Sequence, residues 1–249
     1  GGCVESLRSL ERPEHPVAIF QGREVSHREV EEHSNALAAA LIAGGVKRGD
    51  RVICLFLNCP QSFIAFFAIW KAGAIVVPLN PLYTPFESER SIKDVEAEVA
   101  IVGSTYHQAV KSFQPRTKLR WVIASDVDTY AKLPMKNEGD SIKLEKEDVW
   151  WTDLIANYRG TPRPAVKVNT SDTAVILFSG GTTGTPKGVM GSHHSIIITA
   201  MAHRAWFKSL IVEWEDRALV PLPLFHSFGV YVSFGSYFMC HIPQVLIFK

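Results

Sequence analysis

Between residues 51 and 124 the chain alternates short β-branched apolar runs with helix-patterned stretches, and this alternation leaves few architectures open. Residues 51–56 read as a strand, 61–71 as an apolar helix and 74–77 as a second strand. A helix near 87–95, a strand at 99–102, a segment around Gln108 and a strand at 121–124 continue the series. Alternation on this scale favours an α/β fold of mostly parallel sheets flanked by helices. Ahead of it, residues 17–20 and 24–25 flank Gln21-Gly22 as a short hairpin. Ser26 and Glu29 then have capping-box spacing, Val30, Leu37, Ala38, Leu41 and Ile42 share one helix face, and Gly44-Gly45 ends it.

Two stretches break the pattern. Residues 126–148 are polar and contain Pro134, Asn137 and Gly139, with the charge run 143–148 reading as a solvated face, and Thr161-Pro162-Arg163-Pro164 is a second stiff connector. Residues 229–248 carry no Asp, Glu, Lys or Arg. His241 and Pro243 interrupt this stretch and Gly229, Ser233, Gly235 and Ser236 dilute it, so it reads as a buried helix and a buried strand, not as a membrane span. Residues 244–249 look like a strand still in progress, and the chain begins at Gly1 with no secretory pattern after it. The expectation is an N-terminal portion of a longer cytoplasmic protein.

Composition narrows the function. Of 249 residues 47% are hydrophobic, and 26 Lys+Arg face 25 Asp+Glu, so there is no basic excess to grip nucleic acid or an anionic membrane surface. Cys3, Cys54, Cys59 and Cys240 form no CxxC pair and sit near no metal-type His cluster, which points to reduced thiols and no metal held by protein side chains alone.

The most informative contrast lies after residue 172. A compact apolar strand at 173–178 gives way abruptly to Ser179-Gly180-Gly181-Thr182-Thr183-Gly184-Thr185-Pro186-Lys187-Gly188. Glycines let the backbone N–H groups approach a ligand, hydroxyls add neutral donors, and one lysine adds charge, a set suited to a polyphosphate. The loop is not a Walker A motif, because Pro186 precedes Lys187 and Gly188 stands where Ser or Thr would meet Mg²⁺. No GxGxxG follows a strand either.

The run from Phe178 to Gly188, with Val189 and His193 after it, resembles the phosphate-binding signature of the adenylate-forming, AMP-dependent acyl-CoA synthetases. Gly49-Asp50-Arg51-Val52, Lys71-Ala72-Gly73-Ala74, Pro78-Leu79-Asn80-Pro81-Leu82-Tyr83-Thr84 and Pro221-Leu222-Pro223-Leu224-Phe225-His226 agree with the same family. The resemblance implies that residues 1–249 are an incomplete N-terminal portion of the large AMP-binding domain, the remainder and the C-terminal cap domain being absent. It also implies a two-step ligase using ATP, Mg²⁺, coenzyme A and a small-molecule carboxylic acid, with peripheral membrane association left open. Ser179, Gly180, Gly181, Thr182, Thr183, Gly184 and Lys187 would hold the ATP phosphates, Lys187 stabilising the departing pyrophosphate. Gly180 replaces the second Ser of most relatives, removing one hydroxyl.

By the same resemblance His226 orients the substrate beside the acyl carbonyl and Phe228 walls the pocket, although an aromatic at that spacing equally suits a core. The uncharged segment after His226 suits a medium- or long-chain fatty acid, with a 4-coumarate-type aryl acid as the alternative. A rival reading is a noncatalytic nucleotide-binding remnant, since the family's adenine-binding segment, ribose-binding Asp and C-terminal Lys lie outside these residues.

Overall fold

A computed structural model describes residues 11–133, 142–179 and 186–248. Its main sheet has seven strands: β3 (Arg51–Leu55), β4 (Ile75–Pro78), β5 (Val99–Gly103), β6 (Trp121–Ser125), β7 (Val149–Trp150), β8 (Thr173–Phe178) and β9 (Gly188–Ser192). They lie in the order β7-β6-β5-β3-β4-β8-β9. All neighbours are parallel except β8 and β9, which form an antiparallel hairpin at one edge. A smaller sheet has the order β10-β11-β1-β2, from β1 (Pro16–Phe20), β2 (Arg23–Ser26), β10 (Ala218–Val220) and β11 (Gln244–Leu246). The expected mostly parallel α/β class is therefore the observed one.

The helices follow from local chemistry. In α1 (His27–Ala43) the Ser26 hydroxyl accepts from the Glu29 N–H, and in α3 (Pro85–Asp94) Thr84 and Glu87 close a reciprocal capping box. That box starts α3 ahead of the expected Glu87. Every residue of α2 (Pro60–Lys71) is buried, as its all-round apolar character requires. The segment around Gln108 is α4 (Ser104–Phe113), and α5 (Trp151–Asn157) and α6 (His193–Phe207) complete the set. Among the described residues no helix is long and apolar enough to cross a membrane.

Lys71, at the end of α2, is buried and its ammonium donates to Glu31 (2.6 Å), Ser34 (2.8 Å) and Asn35 (2.8 Å) of α1. This clamp joins α1 to α2, the helix that packs against β3 and β4. Lys71→Ala removes a buried ammonium and its hydrogen bonds to Glu31, Ser34 and Asn35, so it is expected to destabilise the fold by about 3 kcal/mol in urea unfolding. A loss under 0.5 kcal/mol would contradict the clamp.

Within 143–148, Lys143, Glu145, Lys146 and Glu147 are exposed as expected of a solvated face, and Asp148 is not. Asp148 is buried, 2.7 Å from His107 Nε2 and 3.2 Å from Lys111 Nζ, both on α4. Pairing of β7 with β6 draws the residue just ahead of it under the sheet edge, where two α4 side chains compensate its charge. Of the strand expected at 244–249, β11 covers 244–246 and pairs with β10 on one side and β1 on the other, and Lys249 lies outside the described residues. Exposed large apolar side chains include Leu82 (84%), ahead of α3, and Trp206 (80%) and Leu210 (73%) on and after α6.

Candidate active site

The β8–β9 hairpin carries the glycine-rich loop. Its base is closed by two hydrogen bonds, Ser179 N–H to the Lys187 carbonyl (3.0 Å) and Lys187 N–H to Ser179 Oγ (3.2 Å). Gly180, Gly181, Thr182, Thr183 and Gly184 lie outside the described residues. Ser179 and Lys187 are both exposed at the mouth of the loop. The Ser179 oxygen accepts one hydrogen bond from the hairpin itself and keeps its O–H proton to donate and a second lone pair to accept.

Three contacts fix the hairpin from behind. Arg48 holds Asp172, just before β8, through both carboxylate oxygens at 2.7–2.8 Å. The Trp70 indole donates to the Ala174 carbonyl at 2.8 Å. A Cβ on Gly191 of β9 would lie 2.3 Å from the Tyr231 hydroxyl and 2.9 Å from Val175, so only glycine lets the hairpin approach Tyr231 this closely. Tyr231 in turn meets Ser195 Oγ at 3.2 Å, and Ser195 N–H donates to the Ser192 hydroxyl that caps α6. Ser195 thus ties the start of α6 to the segment following His226.

That segment is a π-helix, Gly229–Tyr237, an uncommon geometry that recurs at functional sites. His226 and Phe228 stand on the turn leading into it. Both are exposed, Phe228 by 41%, and Ser227 Oγ lies 3.5 Å from His226 Nδ1. The turn is tight: His226 N–H donates to Pro223 O, Val230 N–H to His226 O, and a Cβ on Gly229 would meet Leu224 Cα at 2.4 Å. Tyr231 thus ties β9 at Gly191, the end of the hairpin away from the loop, to the segment following His226; its sequence context marks it only as aromatic.

Other features lie apart from this arrangement. A cavity of about 100 Å³ at the carboxyl ends of β3, β5 and β6 is lined by Phe56, Cys59, Gly103 and Ser125 among others, and by none of the residues expected to hold ATP or the acid. Cys54, Cys59 and Cys240 are buried free thiols, and burial pushes Cys59 up to about 12, which disfavours a thiolate nucleophile. Among the described residues no group of three His, Cys, Asp or Glu is placed to hold a metal ion. Mg²⁺ delivered on a nucleotide needs only one or two protein ligands besides phosphate and water, so the residues present are compatible with it.

A mostly parallel sheet edged by the hairpin that carries the glycine-rich segment defines an α/β protein. The chain belongs to the AMP-binding enzyme family, which matches residues 8–242. It is 32% identical over 236 residues to the long-chain-fatty-acid–CoA ligase of Yersinia pestis, covering 90% of this chain and 42% of that protein. It is 31% identical over 238 residues to 4-coumarate–CoA ligase 2 of Oryza sativa subsp. japonica, covering 94% and 40%. The anthranilate CoA ligase AuaEII, solved with anthranoyl-AMP, shares the fold with a TM-score of 0.81 and 24% identity, over 100% of this chain and 46% of that one. The chain thus spans about two fifths of the length of the curated relatives it matches.

Proposed function

We propose that this chain is the N-terminal part of the large domain of an AMP-forming acid–thiol ligase. In the first step a carboxylate oxygen attacks the α-phosphorus of ATP, the bond to the β-phosphate breaks, and pyrophosphate leaves. In the second the coenzyme A sulfur attacks the acyl carbonyl, its proton is lost, and AMP departs. The observation that carries the reading is the hairpin closed between Ser179 and Lys187, which holds the glycine loop on a rigid base and keeps the lysine at its mouth. Phosphoryl chemistry gains mostly from such positioning and from charge opposite the leaving group. The loop residues Gly180, Gly181, Thr182, Thr183 and Gly184 would wrap the phosphates of Mg²⁺-bound ATP, and Ser179 would donate its hydroxyl proton.

His226 and Phe228 would line the acyl site, His226 orienting the carboxylate. The acid is a medium- or long-chain fatty acid on this reading, supported by the uncharged π-helical segment and by relatives named for such acids. The similarity to a 4-coumarate ligase supports the aryl-acid alternative. Acid-dependent ATP–pyrophosphate exchange by the full-length protein, run with palmitate, 4-coumarate and a set of amino acids, separates these. Preference for palmitate is expected; preference for 4-coumarate moves the substrate to aryl acids, and preference for an amino acid removes the CoA-ligase reading.

A further inference from the structure

The turn that presents His226 runs from β10 to the π-helix through Pro221-Leu222-Pro223-Leu224, and the two prolines leave it short of backbone donors. Three of its polar groups meet a single side chain from a distant part of the chain, although the Val220 carbonyl also accepts from Ile247 N–H at 3.4 Å. Asn58, in the turn between β3 and α2, is buried, and its Nδ2 donates to the carbonyls of Val220 (3.3 Å) and Leu222 (2.9 Å). Its Oδ1 accepts from Leu224 N–H at 2.8 Å. Both donor hydrogens and the acceptor are thus committed to consecutive parts of one turn.

On the other side of the turn Gly229 packs against Pro223 O and Leu224 Cα at distances that leave no room for a side chain. The arch is therefore held between Asn58 and the start of the π-helix. Neither partner touches the imidazole. Displacing Leu224 moves Pro223, whose carbonyl accepts from His226 N–H, so a shift of the arch carries the ring with it.

We propose that Asn58 is a positioning residue for the acyl-acid site, acting through the 221–226 turn on His226. This rests on the reading of His226 as the group that orients the carboxylate. Because the ATP loop hangs on a separate hairpin, a positioning role has a selective kinetic signature. In the full-length protein, Asn58→Ala is expected to lower kcat/KM for palmitate about tenfold in pyrophosphate exchange while moving KM for ATP less than about twofold. In a His226→Ala background the same substitution is expected to cost less than about twofold more, because residues acting through one another are not additive.

Hydrogen exchange gives a readout independent of turnover: the Leu224 amide should exchange about tenfold faster in Asn58→Ala, with β5 amides unchanged. Should Asn58→Ala fail to fold, Asn58→Ser, which leaves room for water to reach the two carbonyls, carries the same comparisons. A damaging His226→Ala with a fully additive double variant overturns the positioning role alone, as does an equal rise in KM for ATP. An unchanged His226→Ala overturns the reading of His226 and this proposal with it.

Discussion

Lys187→Ala in the full-length protein is expected to slow acid-dependent pyrophosphate release by ~10²-fold or more. The expectation follows from what the substitution removes and what it leaves. The backbone of Lys187 closes the hairpin through its N–H and carbonyl, and both survive a change of side chain. The ammonium itself is exposed, so its loss should leave stability within about 0.5 kcal/mol. Negative charge gathers on the departing pyrophosphate as the P–O bond lengthens, so a fixed cation there acts on the transition state more than on bound ATP. The loss should therefore appear in kcat. A change below threefold would remove Lys187 from that role.

The second large effect is on stability and is set by pH. His27, at the start of α1, is buried among His15, His241, Trp214 and Phe238, with neither ring nitrogen hydrogen-bonded. Burial first, then the neighbouring His241 and His15, lowers its pKa from 6.5 to about 4. His33 on the same helix is lowered to about 4, chiefly by burial. The folded state thus refuses a proton that the unfolded chain accepts near 6.5, so stability is full above that pH and falls as pH drops from 6.5 to 4. For His27 alone the loss is about 3 kcal/mol across that window. Urea unfolding at a series of pH values should show it, and His27→Phe should remove about half of that slope, His33 carrying a similar share. An unchanged slope in His27→Phe would show that other groups carry the acid sensitivity.

The alternation from residue 51 to 124 was legible because β3 to β6 are buried on both faces and read as short unbroken apolar runs between helices. Strand order was not, since the pairing of β4 with β8 and of β1 with β11 depends on contacts between elements far apart in sequence. Asp148 was misread for the same reason. A charge run gives no sign that one member will turn under a sheet edge to meet His107. The short β7 and α5 carry too few residues for a period to register.

Of the site, the glycine loop announces itself by composition, whereas His226 is an ordinary histidine in an apolar stretch until the family resemblance singles it out. Asn58 carries no motif at all. An Asn ahead of Pro60 reads as a turn residue, and its partners begin only at Val220, with the Leu224 amide 166 residues away. A signal could have been found in the twin prolines at 221 and 223, which oblige some side chain to serve the carbonyls around them.

The most direct test of the account is product analysis of the full-length protein incubated with ATP, Mg²⁺ and palmitate, first without and then with coenzyme A. The account predicts palmitoyl-AMP and pyrophosphate in the first mixture, and conversion of the adenylate to palmitoyl-CoA and AMP on adding the thiol. Release of ADP and phosphate, or no acid-dependent product with palmitate, 4-coumarate or amino acids, would contradict it.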